Sequence, residues 1–96
     1  MDDFRVIIAG RQWRVQFVTT RQMRVRAWGT CDSPPGRHPT IQIARSLRGK
    51  RLLEILVHES LHASIPLLEE TAVDDTARDI ARVLYRAGVR ISEDVV

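Results

Sequence analysis

The sequence predicts a small α+β fold: a twisted, mostly antiparallel sheet of roughly three to four short strands packed on two α-helices. Three observations carry this. The hydrophobic period is two, or a short apolar run, up to about residue 44, and becomes helical from about Ser46 onward. Gly and Pro crowd the stretch between Trp28 and Thr40, and further breakers stand at Pro66 and Gly88. The chain has 96 residues, enough for one core and too few for two, so residues 1–96 are expected to form a single domain whose scaffold also carries the site.

The stretches "FRVIIA", "WRVQFV", "RVRAW" and "TIQIA" are rich in β-branched and aromatic residues and read as strands, with Gly10 supplying the turn between the first two. "GTCDSPPGRHP" reads as a surface loop, because its glycines and prolines suit neither strand nor helix. A helix is expected from about Ser46 to Ser64. Pro66 stops it, since the residue before a proline is driven toward extended geometry and Ile65 holds that place. A second helix starts near Glu69 to Thr71 and runs to about Ala87, with Gly88 as its C-terminal cap. Trp13 and Trp28, in or at the end of strand patterns, are expected in the core.

Hydrophobic residues are 44% and charged residues 28% of the chain, a balance that suits folding and excludes disorder. No apolar run approaches the roughly 20 residues of a membrane span, and "MDDFRVIIAG" is acidic where a secretory signal is basic. Cys31, the single cysteine, cannot form an internal disulfide. A cytoplasmic location is therefore expected. The net charge of +3 is unevenly spread: residues 1–51 hold eleven Lys or Arg against three Asp, and the rest holds four Arg against nine Asp or Glu. Fourteen of the fifteen basic residues are arginine. A weak nucleic-acid contact through the N-terminal half is one reading of this bias; a solvated basic surface is the other.

The strongest chemical signal is "ILVHESLHAS", residues 55–64. On a helix, His58 and His62 fall one turn apart on one face with Glu59 beside them, the HExxH arrangement. Two neutral imidazoles so placed suit zinc, which commonly takes three protein ligands and a water of lowered pKa, and Glu59 suits a general base. Histidines on helices are more often plain surface or core residues. Here, however, Leu56, Val57, Leu61 and Ala63 wrap the motif in apolar side chains, where ionisable groups without a ligand are costly. The acids at the start of the second helix, Glu69, Glu70, Asp74 and Asp75, offer a third ligand. At about 100° per residue, Glu70 projects within the stripe Val73, Ala77, Ile80, Ala81 and Leu84, Asp74 lies on its edge, and Glu69 and Asp75 point away. Glu70 is preferred, with Asp74 and Glu69 as alternatives. All four acids also suit a helix N-terminus with no metal involved.

The run "TIQIARS", then "RLLEILVHESLHAS", then "EETAVDDTARDIARVLYRAG" resembles a minimal zincin metallopeptidase of the gluzincin kind, as found in short phage-borne and bacterial zincin-like proteins. The resemblance covers roughly residues 23–90, and its specific part is the HExxH with apolar flanks. It implies zinc (Zn2+) held by His58, His62 and Glu70, with Glu59 as the catalytic base of a hydrolase acting on a peptide or protein substrate. It also implies that strand 40–44 is the sheet edge along which an extended substrate adds. No histidine follows "HESLH" before Pro66, which argues against the three-histidine subclass. Two other functions fit the same residues: a structural zinc module serving interactions, and a nucleic-acid-associated accessory protein with a vestigial motif. His38 reads as a loop histidine, able in principle to swing over the site. Cys31 reads as a small incidental residue, and Tyr85, four turns from Glu70, as packing.

Overall fold

In the computed structural model, which describes residues 1–23 and 27–91, Phe4–Ile8 form β1 and Arg11–Val18 form β2. Ala9 and Gly10 join them in a two-residue turn with φ of 51° and 76°. Paired positive φ values match the twist of adjacent strands, and the register from Phe4↔Val15 to Ile8↔Arg11 follows from that turn. Gly29–Cys31 form β3, Thr40–Ala44 β4, Gly49–Ser64 α1 and Glu70–Arg86 α2.

The sheet runs β1-β2-β4-β3. Its outer pairs are antiparallel, but the central β2–β4 pair is parallel, from Arg14↔Thr40 to Val18↔Ala44. The sheet is therefore mixed, because the chain passes beyond β4 to lay down β3 and then turns back to insert β4 beside β2. This places β4 in the interior and makes β3 the edge, correcting the expectation that residues 40–44 border the cleft. The short strand β3 also falls inside the segment read as pure loop. Its glycine did not prevent pairing, since Gly29↔Ile43 and Cys31↔Ile41 hold it to β4. Asp32 closes the remaining loop: its N–H donates to the Thr40 carbonyl at 3.1 Å, and its Oδ2 accepts from Thr40 N–H at 3.0 Å. Of the expected strand at 24–28, residues 24–26 lie outside the described residues.

Alternation along β2 buries Trp13, Val15 and Phe17 on one face, where Ile41 and Ile43 of β4 join them. Leu52, Ile55 and Ala63 of α1 pack into this cluster with Met23, Ala44 and Leu47. Trp28 is 49% exposed and stays out of the core, contrary to expectation, since the strand patterned to carry it inward begins only at the next residue. The two helices do not share the sheet. α1 lies against it, and α2 packs on α1 through the buried Val73, Ala77 and Ala81, so the layers run sheet, α1, α2.

α1 stops where Ile65 N–H still reaches the Leu61 carbonyl at 2.8 Å, just before Pro66. α2 ends in a paired cap: Gly88 N–H donates to Tyr85 O at 3.1 Å and Val89 N–H to Leu84 O at 2.9 Å, with Gly88 at φ 96°. Among the described residues no helix is long and apolar enough to cross a membrane.

Candidate metal centre

His58 and His62, one turn apart on α1, bring their Nε2 atoms to 3.2 Å from each other. Glu70, in the first turn of α2, faces both: Oε1 lies 3.2 Å from His58 Nε2 and Oε2 lies 3.2 Å from His62 Nε2. Two atoms each about 2.0–2.1 Å from one ion at a tetrahedral angle stand roughly 3.3 Å apart, so these separations fit a shared ion. Two imidazole nitrogens this close, both turned to a carboxylate, also need a proton or a cation between their lone pairs. The His and Glu side chains of this region are close enough together to bind a metal ion; His58, Glu59 and His62 alone offer ligand atoms within 4.8 Å of one another.

Asp74 has a different place. Its Oδ1 lies 3.3 Å from His58 Nδ1, on the far side of the ring from Glu70. A carboxylate at that distance suits an Nδ1–H, the tautomer that leaves Nε2 to serve as a ligand. One turn separates Glu70 from Asp74 on α2, so a single helix face serves both nitrogens of His58. Asp75 instead pairs with Arg78 at 3.3 Å, and Glu69 is exposed, its side chain capping nothing.

Glu59 is buried, with 6% of its surface exposed, yet its carboxylate has no hydrogen-bond partner among the described residues. It packs against Gly29 of β3. A Cβ at position 29 would fall 2.9 Å from Glu59 Cγ and Oε2 and 2.8 Å from Ile55 Cγ2, so a glycine is what lets the edge strand close on the helix. Burial, and secondarily the Glu70 carboxylate, pushes the Glu59 pKa up from 4.5 to about 7. The Cys31 thiol is pushed up to about 12 by burial and then by the charges of Glu59 and Asp32, so it stays protonated.

These groups line an open cavity of about 510 Å³. Gly29, Thr30 and Cys31 of the edge strand form one wall, and His58, Glu59, His62 and Glu70 form the other. His38 is not in it, lying instead beside Arg37 in a separate hollow. Tyr85 is also remote, covered by the Arg90 guanidinium 3.5 Å above its ring. Sequence reasoning missed Gly29, whose only signal was a glycine beside a presumed loop, and it expected Asp74 to orient or replace Glu70, whereas Asp74 lies against His58 Nδ1.

No family model, curated protein or solved structure matches this chain.

Proposed function

We propose that the protein is a zinc-dependent metallopeptidase of the zincin type, built on the minimal gluzincin pattern. The observation that carries this reading is the convergence of His58, His62 and Glu70, from two helices, at mutual separations of 3.2 Å. These three side chains would hold the ion, with Asp74 orienting His58 from behind. Zinc, when bound, supplies a Lewis acid for the scissile carbonyl and a water of lowered pKa. Glu59 takes the proton of the attacking water and passes it to the leaving amine. A carboxylate with no protein hydrogen bond, buried at the cavity wall, is well suited to that transfer.

The substrate class follows from β3. Among the described residues only one side of this strand is paired, to β4, and its other side borders the cavity, so an extended peptide can add there by backbone hydrogen bonds. Gly29 brings that edge close enough to Glu59 for the peptide bond to lie beside the base.

Substitution of the base tests the reading. Glu59→Gln retains stoichiometric zinc, measured by elemental analysis, and loses roughly 10²- to 10⁴-fold in hydrolysis of an unstructured protein substrate. Equal activity in the variant removes Glu59 from the mechanism. A zinc-loaded wild type that cleaves nothing in a broad peptide library makes the site a structural one.

A further inference from the structure

The face of the sheet turned away from the helices carries an arginine cluster; Asp3 lies near Arg5 and Arg14, but its Oδ1 accepts the Phe17 N–H at 2.9 Å. Arg5 of β1 and Arg14 of β2 are direct cross-strand partners, set between the inward-facing pairs Phe4↔Val15 and Val6↔Trp13. Like charges directly opposite each other repel and destabilise the pair. Arg11 and Arg37 join them around an open hollow of about 600 Å³, with Gln12 and His38 at its wall and no carboxylate in the lining. Arg11 Nη1 reaches the Pro35 carbonyl at 3.4 Å, linking the hairpin to the loop that carries Arg37.

Pairing elsewhere makes the contrast. Arg51, Arg78 and Arg82 each meet a carboxylate, at 2.8, 3.3 and 3.1 Å, and Arg45, Arg48 and Arg90 donate to backbone carbonyls instead. Among the described residues none of Arg5, Arg11, Arg14 and Arg37 has a carboxylate partner. We infer that this face binds the phosphate backbone of nucleic acid without regard to sequence. Guanidinium forks match phosphate oxygens, and condensed counterions released from a densely charged backbone supply a driving force that a sparsely charged acidic peptide lacks. No Phe, Tyr or Trp side chain lines the hollow, so contact is chiefly to the backbone. The helices and the metal cavity lie on the other side of the sheet, so a bound strand leaves that cavity open. The inference stands independently of the peptidase reading.

The test is fluorescence anisotropy with a labelled 20-base-pair DNA duplex and the full chain. Binding at 50 mM salt should weaken toward 200 mM with a log–log slope of about −3, and two unrelated duplex sequences should give the same affinity. Arg5→Gln Arg14→Gln Arg37→Gln should weaken binding more than about tenfold and flatten that slope. The matched variant Arg78→Gln Arg82→Gln Arg86→Gln, on α2, should bind as the wild type does. Circular dichroism and zinc uptake of both variants report whether the fold is intact. Absence of binding at 50 mM overturns the inference. So does an equal loss in the two variants, which reduces the effect to net charge, and so does competition by polyglutamate as effective as by unlabelled duplex, which makes the partner an acidic protein.

Discussion

The two sides of α1 are built differently. Toward the sheet it meets large side chains: Trp13, Phe17, Ile41 and Ile43, answered by Leu52 and Ile55. Toward α2 the buried residues of the facing helix are Val73, Ala77 and Ala81. Large interlocking side chains remove much apolar surface from water, whereas alanines bury little but let helix axes approach closely. The first interface thus supplies stability, and the second brings the Glu70 carboxylate to the two histidines. The candidate site lies on the α1–α2 seam, where an ion held across the two helices would also fasten the outer one.

The sheet side should give the largest effect. Ile43 is fully buried, and Ile43→Ala is expected to cost about 3–4 kcal/mol in urea denaturation, with or without zinc. Val73→Ala, on the α2 side, should cost about half as much, and zinc should restore part of the loss. Equal costs for the two variants would erase the distinction between the interfaces.

The next effect is on the metal linkage. With free zinc at about a hundred times its dissociation constant, the wild type should gain roughly 2.7 kcal/mol, read as a rise in Tm. Glu70→Gln should lose most of that rise, and Glu69→Gln should keep all of it. Asp74→Asn should lose part, because a partner that orients a liganding histidine is worth about 10- to 100-fold in affinity. A normal rise in Glu70→Gln would sink its assignment as a ligand, and a larger loss in Asp74→Asn than in Glu70→Gln would move the ligand there.

What the sequence disclosed follows from how local each signal was. The HExxH spacing depends only on helical period and reappears as the 3.2 Å approach of His58 and His62; Glu70 also reaches both histidines, but its side chain is 65% exposed, and Ile80 of the stripe it was assigned to is 38% exposed. Helix ends at Pro66 and Gly88 were equally local. The position of β4 inside the sheet was not readable, because strand order depends on where the chain lays β3, three residues with no hydrophobic pattern. For the same reason Gly29 was invisible as a site residue: its role is to lack a side chain where another element closes in. Trp28 misled because an aromatic at the end of a strand pattern has no neighbour in sequence that fixes its side of the sheet.

The last of these effects belongs to Glu59, and it asks whether burying this carboxylate loosens the fold that carries it. In metal-free protein the Glu59 pKa is raised from 4.5 to about 7, mainly by burial, so the folded chain holds this proton more tightly than the unfolded chain does. The contribution to stability is therefore fully present below about pH 4.5 and is lost as pH rises through 7. Glu59→Gln keeps the shape and removes the ionisation. The metal-free variant should match the wild type near pH 4.5 and exceed it by on the order of 3 kcal/mol at pH 8, in paired urea titrations across that range. His58 and His62 are present in both proteins, so the difference between the two curves reports Glu59. If the curves run parallel from pH 4.5 to 8, the buried carboxylate is ionised at little cost, and the α1 helix carries its reactive group without strain. If they diverge with rising pH, the wild type gives up stability to keep a carboxylate at the cavity wall, a cost that the sheet–α1 core must offset.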